Sequence, residues 1–331
     1  MTDSANPRPH LVITNYVQDE VIHFLSTFAR VSANRSQAPW SQRSLLEAAQ
    51  DADGLLMFMP DCVDAQFLDQ CPRLRSIAGA MRGFDNFDLE ACEARGIRYK
   101  FIPNLLAAPT AELTVAMLIS LARSMPAGDA FVRSGRFLGW RPKFYSKGVI
   151  NSTVGIVGMG QLGLEFTKRM QGFGATLLYN DPVRLEHSQE QCFGLNYVAF
   201  SELIERSDHL VVMVPLENNT LHLFNAEVLT RCKPGAVIIN PCRGSVVDEQ
   251  AVVKALETGH LAGYGADVFE MEDWARPDHP DCIPQGLLDQ RERTVLTPHI
   301  GSAVQVIRED IAMTAARNLK ALVQSTLSPI A

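Results

Sequence analysis

Three side chains in fixed chain order, Arg243, Glu272 and His299, are of types that can move a proton beside an anion. Arg243 lies in Asn240-Pro-Cys-Arg-Gly-Ser-Val-Val-Asp-Glu249, Glu272 closes Ala266-Asp-Val-Phe-Glu-Met-Glu272, and His299 stands in Thr297-Pro-His-Ile-Gly-Ser302. A guanidinium grips an oxyanion through two parallel N–H bonds. An imidazole exchanges a proton near neutral pH, and a carboxylate can orient and charge-tune it. A lone histidine is more often a core residue; an ordered arginine, carboxylate and histidine is harder to assemble by chance.

Upstream, Thr153-Val-Gly-Ile-Val-Gly-Met-Gly-Gln-Leu-Gly163 places Gly158, Gly160 and Gly163 directly after an apolar strand and at the start of a helix. The first glycine permits a tight turn. The second lets backbone approach a pyrophosphate, and the third lets helix and strand pack closely. Met159, Gln161 and Leu162 complete that loop, and the helix start supplies N–H groups and a positive dipole end. Such a glycine pattern alone is weak. Here the next strand, Ala175–Asn180, ends in Asp181, near the spacing at which an acid binds ribose hydroxyls. Asp181 favours NAD over NADP, because a carboxylate repels a 2′-phosphate; Arg184 could soften that preference or be a solvated charge. Together the two groups imply a nicotinamide-dependent oxidoreductase acting on a small anion.

These residues need elements to hold them. Leu11–Thr14, Leu55–Phe58, Ser76–Ala78 and Gly96–Phe101 read as strands, with Ser41–Ala49, Ala65–Gln70 and Leu89–Arg95 as helices between them. Pro109 is expected to open a long amphipathic helix through Arg123. A second alternating block follows: strands Val154–Val157, Thr176–Tyr179, Leu210–Val214, Ala236–Asn240, Gly263–Asp267 and Thr294–Leu296. The helix Ala303–Gln324 ends the chain. The pattern predicts α/β architecture in two doubly wound, Rossmann-like domains with parallel sheets. Chain order alone puts the boundary near residue 105.

At 331 residues, the chain has room for two ordinary domains. A net charge of −7 speaks against nucleic acid as a partner, but local charge decides the fit of a small anion. Met1–His10 has no apolar core of signal-peptide length and no run would span a bilayer, so no membrane partner is expected. Seven scattered cysteines without zinc-type spacing read as reduced thiols of a cytoplasmic protein, and the other histidines show no ligand spacing, so no metal is expected.

The chain resembles the D-isomer-specific 2-hydroxyacid dehydrogenase family along essentially its whole length. The marks are Asp85-Asn-Phe-Asp88, the glycine run, Arg243-Gly-Ser-Val-Val-Asp248, Asp267-Val-Phe-Glu-Met-Glu272 and Pro298-His299. Other runs look like its phosphite (phosphonate) dehydrogenase branch: Phe58-Met-Pro-Asp61, Gly83-Phe-Asp-Asn-Phe-Asp88, Phe131-Val-Arg-Ser-Gly135, Gly139-Trp-Arg-Pro142 with Phe144-Tyr145, and Asp267 to Ala275. The resemblance implies a discontinuous substrate domain, residues 1–105 plus 300–331, and an NAD-binding domain, 106–299. It implies a cleft between them, two long crossover helices, and a homodimer. Arg243 would bind substrate, His299 would be the acid/base and Glu272 its partner. Met59, Arg82, Gly83, Trp140, Tyr145, Ser302 and Arg308 would line the substrate pocket. Pro215, Cys242 and Asp267 would complete the cofactor set. The branch carries a lysine where this chain has Arg82, which keeps charge and changes shape.

The expected reaction is NAD-dependent oxidation of phosphite to phosphate, with hydride leaving phosphorus and water as nucleophile. The alternative is a D-2-hydroxyacid dehydrogenase or 2-oxoacid reductase on a small carboxylate, using the same His299 and Arg243. A pocket packed by Met59, Trp140 and Tyr145 would suit a substrate with no carbon side chain. A remote third reading is a non-enzymatic NAD-sensing corepressor; no recruitment motif is visible.

Overall fold

The computed structural model describes residues 8–327. Residues 1–7, part of the stretch read above for a signal segment, and 328–331, assigned above to the substrate domain, lie outside it. In chain order the elements are β1 (His10–Ile13), α1 (Asp19–Ser26), β2 (Arg30–Ala33), α2 (Gln42–Ala49), β3 (Gly54–Met57), α3 (Ala65–Asp69), β4 (Ser76–Gly79), α4 (Leu89–Ala94) and β5 (Arg98–Lys100). There follow α5 (Ala107–Ala122), α6 (Met125–Arg133), β6 (Thr153–Val157), α7 (Gln161–Met170), β7 (Thr176–Asn180), α8 (His187–Phe193), β8 (Leu195–Tyr197), α9 (Phe200–Arg206) and β9 (His209–Val212). The remainder is α10 (Ala226–Arg231), β10 (Ala236–Asn240), α11 (Glu249–Glu257), β11 (Leu261–Ala266), α12 (Gln285–Asp289), β12 (Thr294–Leu296) and α13 (Gln305–Leu327). Among the described residues two compact units result, 8–106 with 303–327, and Ala107–Ser302.

The first unit is a parallel sheet in the order β2-β1-β3-β4-β5. Its inner strands, HLVI, GLLM and SIAG, are buried throughout, as strands covered on both faces must be. One face is covered by α1 and α13. Ile311, Ala315, Leu319 and Val323 fall at four-residue steps, so one stripe of α13 enters the core. Gly54 lets that helix come close, since a Cβ there would lie 2.9–3.3 Å from Leu11, Leu319 and Val323. Truncating buried Leu319 to alanine should cost about 2–5 kcal/mol. On the other face lie α2, α3 and α4, through Leu45, Phe67, Leu68 and Cys92.

The second unit is a seven-stranded parallel sheet, β12-β11-β10-β9-β6-β7-β8. Chain order runs outward from β6 in both directions. The order therefore reverses between β6 and β9, and open α/β sheets bind ligands at the carboxyl ends beside such a point. Among the described residues no single helix is long and apolar enough to cross a membrane.

Several elements differ from the sequence reading. The helix expected to start at Pro109 begins at Ala107, and Pro109 sits in its first turn, where its missing N–H costs nothing. It is also not amphipathic: Ala111, Thr114, Met117, Leu118 and Leu121 are buried, and it packs on β10–β12 and α7. Edge strands β2 and β8 went unread because they are short and partly exposed, without a continuous apolar run. Helix α6 breaks from α5 at Ser124, which adopts φ 50°.

Candidate active site

The carboxyl edge of the larger sheet gathers the loops that matter. Strand β6 leaves through Gly158, whose φ of +96° and close approach to Met213 (an added Cβ would lie 2.4 Å from its carbonyl oxygen) admit no side chain. Gly163 is packed against the Gly158 carbonyl, 2.5 Å from where a Cβ would stand, whereas Gly160 opens onto free space. Gly160 caps α7 without a side-chain hydrogen bond. This cradle fits a dinucleotide's phosphates. Met159 is buried and Leu162 half-buried in the core, so both serve the loop through backbone while their side chains pack. Gln161 opens α7. Asp181, just past β7, accepts from Met159 N at 2.7 Å and Val183 N at 2.8 Å, which fixes the carboxylate beside the loop. Pro215 follows β9, its carbonyl accepting from Thr220 Oγ1.

Arg243, Glu272 and His299 follow β10, β11 and β12, three neighbouring strands. Arg243 is half-buried and extended, φ −144°. Asn240 orders its backbone by donating from Nδ2 to the Arg243 carbonyl at 2.8 Å and accepting from Cys242 N at 3.1 Å. Arg243 Nη1 donates to the Cys242 carbonyl, 2.8 Å. Glu272 ends a 3-10 turn, Glu270–Glu272. One of its oxygens accepts from Phe269 N at 2.8 Å; the other lies 2.7 Å from His299 Nδ1.

His299 adopts φ +55°, a left-handed conformation uncommon for a side chain of that size. Asp267 holds it there. The Asp267 carbonyl accepts from His299 N, and the carboxylate accepts from Thr297 Oγ1 (2.5 Å), Ile300 N (2.8 Å) and Gly301 N (2.7 Å). Burial raises the Asp267 pKa against the pull of those donors. With Nδ1 facing Glu272, Nε2 is the ring nitrogen left to exchange a proton.

The remaining positions sort by unit. In the first, Met59 follows β3 and Arg82–Gly83 follow β4, at adjacent strand ends, with Asn86 Nδ2 donating to the Met59 carbonyl at 3.2 Å. Arg82 is exposed. Arg308, on α13, stands 6.0 Å over the Phe58 ring, and burial lowers its pKa. In the second unit, Ser302 closes the His299 loop. Trp140 and Tyr145 do not pack a pocket within this chain: each is 80% exposed. Their segment has no helix or strand; its aromatic anchors are instead Phe131 and Phe144, ring centroids 5.5 Å apart, with Lys143 over Phe131.

Sequence reasoning missed Thr297 and Asn240. Asn240 had a signal, an amide ending an apolar strand beside the arginine run.

A parallel sheet leaving through a side-chain-free glycine turn, with a carboxylate–histidine pair further along the same edge, defines a nucleotide-linked dehydrogenase. Residues 115–301 match the family model "D-isomer specific 2-hydroxyacid dehydrogenase, NAD binding domain". A glyoxylate reductase of Thermococcus litoralis is 35% identical over 97% of this chain and 96% of its own length. A protein of Thermus thermophilus superposes with TM-score 0.85 at 32% identity, covering 96% of this chain and 97% of its own. The D-lactate dehydrogenase of Aquifex aeolicus, solved with NAD and lactic acid, gives TM-score 0.83 at 25% identity, covering 96% of each chain. The chain belongs to the D-isomer-specific 2-hydroxyacid dehydrogenase family and is an NAD-dependent dehydrogenase.

Proposed function

We propose that this enzyme interconverts a small 2-oxoacid, glyoxylate in the first instance, and its 2-hydroxyacid. The observation carrying this reading is the 2.7 Å pairing of His299 Nδ1 with Glu272, one strand from Arg243. Support for the substrate class comes from the relatives named glyoxylate reductase. Bound in the glycine cradle, NAD would supply the hydride acceptor for oxidation and NADH the donor for reduction. Arg243 clamps the carboxylate with its fork. In oxidation, His299 Nε2 takes the hydroxyl proton as the C–H bond gives up its hydride and the carbonyl forms; in reduction it returns that proton to the carbonyl oxygen. Glu272 orients the ring and stabilises the imidazolium. The residues proposed to hold the cofactor are Gly158–Gly163, Asp181, Pro215, Cys242 and Asp267.

A second reading, oxidation of phosphite, is supported by the runs around Gly83, Gly139 and Asp273, which resemble the phosphite branch. There the P–H bond gives up hydride, a water oxygen bonds to phosphorus, and His299 takes the water proton. The test is NADH consumption with glyoxylate beside NADH formation with phosphite, glycolate, glycerate and lactate. Turnover of the carboxylates with none of phosphite retires the second reading, and the converse retires the first. Arg82 sharpens this. If it grips phosphite, Arg82→Ala raises KM for phosphite by about 10-fold or more, as a charged hydrogen bond worth about 1.5–3 kcal/mol implies. Arg82→Lys should stay active; unchanged KM in both variants removes Arg82 from the site.

We further propose that the enzyme is cytoplasmic and acts as a homodimer through the exposed apolar strip Val132, Phe137, Leu138 and Trp140. Sedimentation of Leu138→Glu against the parent tests the dimer; unaltered mass rejects this strip.

A further inference from the structure

Two 3-10 turns carry the ends of the proposed machinery. Gly244–Val246 follows Arg243, and Glu270–Glu272 ends in Glu272. They lie against one another so closely that a Cβ on Gly244 would stand 1.8 Å from the Phe269 carbonyl carbon. Polar ties reinforce that contact. Ser245 N donates to Asp273 at 2.8 Å. Glu249, first residue of α11, and Glu270 exchange bonds reciprocally: Glu249 N donates to Glu270 Oε1 at 3.1 Å, and Glu270 N donates to Glu249 Oε1 at 2.9 Å.

The two carboxyls are not equivalent. The second oxygen of Glu270 meets the Arg276 guanidinium, with Nη1 at 3.0 Å, and the His222 ring, with Nε2 at 2.7 Å. Glu249 is 1% exposed, accepts from a backbone N–H rather than a cation, and its Oε2 has no hydrogen-bond partner in the described chain. A buried carboxylate in that setting would leave a charge uncompensated; a neutral acid leaves only a polar atom.

We propose that Glu249 is a positioning residue for the reaction: by exchanging hydrogen bonds with Glu270 it holds the turn that bears Arg243 in register with the turn that bears Glu272. This rests on the roles proposed above for those two residues. Glu249 performs the task as the neutral acid. Burial pushes its carboxyl up to about 8, with Glu270, Asp273 and Glu272 adding to the rise. The groups facing it are those three carboxyls, Tyr264 from β11, and, across Glu270, Arg276 and His222. Ionisation above about pH 8 places a further negative charge in this cluster and loosens the register.

The experiment is steady-state kinetics of Glu249→Ala and Glu249→Gln from neutral to alkaline pH, with NADH plus glyoxylate, NAD plus glycolate and NAD plus phosphite, using whichever pairs turn over. At neutral pH, Glu249→Ala should lose on the order of 10-fold or more in kcat/KM, mainly through KM, since small displacements of a binding group are costly. Glu249→Gln keeps a carbonyl acceptor for Glu270 N and should restore neutral-pH efficiency. It should also lack the parent's decline above about pH 8 in the oxidative direction (NAD plus glycolate or phosphite), where His299 acts as the unprotonated base and its own deprotonation does not slow the rate. Parent-like kinetics in Glu249→Ala, or a parent-like alkaline limb in Glu249→Gln, overturns the proposal. Should Glu249→Ala fail to fold, the alkaline limb decides alone. Arg243→Ala and Glu272→Gln run alongside: full activity in those rejects the site reading itself, whereas their collapse beside parent-like Glu249 variants rejects only the positioning role.

Discussion

The first strand of each sheet leaves its carboxyl end in a different way. Strand β6 exits into Gly158 and Gly160, where side chains are absent and a Cβ added at Gly160 would meet no other atom. Strand β1 exits into Thr14, fully buried, whose hydroxyl donates to Asp61 Oδ2 at 2.5 Å and whose carbonyl accepts from Asn34 Nδ2 at 3.2 Å. Phe58 N closes on the same Asp61 oxygen at 2.6 Å. Both sheets are parallel and twice covered. One has the loop after its first strand cleared of side chains, and the other has it filled with its own polar side chains. The sheet therefore supplies a location, and the side chains removed or added at its edge decide whether that location binds anything.

The largest expected break is at the second unit's far edge. His299→Ala should lower kcat on the order of 10²–10⁴-fold and leave NAD affinity near the parent value, because the glycine loop is untouched. Parent-level kcat would remove His299 from proton transfer. Glu272→Gln should move the pH–rate profile, since the imidazolium loses its charged partner 2.7 Å away. A superimposable profile would leave Glu272 a purely structural residue.

Next in size is the contrast itself. Gly158→Ala strains a φ of +96° and drives a methyl toward the Met213 carbonyl, so NAD affinity should fall by about 10-fold or more for strain of about 1–3 kcal/mol. Thr14→Ala, at the matching place in the first unit, should cost stability and leave NAD affinity alone. Calorimetric titration of both reads the difference; equal effects on NAD would dissolve it.

Asp61 gives the first unit a pH signature. Burial pushes its carboxyl up to about 6. A folded pKa above the unfolded value means the folded state binds more protons between about pH 4 and 6, so its stabilising contribution is complete below the unfolded pKa and lost as pH rises through 6. The loss amounts to roughly 2–3 kcal/mol. Asp61→Asn, which keeps an acceptor for Thr14 and Phe58, should flatten that decline in denaturant titrations. A slope like the parent's would mean Asp61 ionises freely.

Much of this layout was readable from the chain because parallel inner strands write themselves as apolar runs: AVIIN at β10 and TVL at β12 have the bounds read from the sequence. Arg243, Glu272 and His299 were placed by the runs that follow those strands. What escaped had a physical reason. Edge strand Arg30–Ala33 is partly exposed and pairs on one side only, so its residues need not be apolar. Trp140 and Tyr145 were placed in the pocket by the resemblance to the phosphite branch, and nothing local marks a tryptophan left 80% exposed. Glu249 escaped because a pairing of buried acids depends on two segments twenty-one residues apart, and no periodicity reports that.

The smallest effect concerns cofactor choice. Asp181→Ala deletes the acceptor for the ribose diol and the repulsion of a 2′-phosphate, so efficiency with NAD should fall and the NAD/NADP ratio should shrink. The shrinkage should be modest, because Arg184, the nearby cation, is already engaged. Its Nε and Nη2 donate to the two oxygens of Glu190 at 2.8 and 3.0 Å, and its guanidinium lies 5.1 Å from the Tyr197 ring centre. Glu190 is buried and also accepts from Tyr179 Oη at 2.8 Å, so the clamp is anchored from below. Adding Glu190→Gln to Asp181→Ala weakens that grip and should favour NADP by a further factor of about 10, the scale of one charged hydrogen bond. Catalytic efficiency with each cofactor, measured for parent, single and double variants, orders the contributions. A single variant with the parent's ratio would mean that another residue reads the ribose. A double variant no different from the single would mean that Arg184 stands beyond reach of a 2′-phosphate, and that NAD preference is written by Asp181 alone.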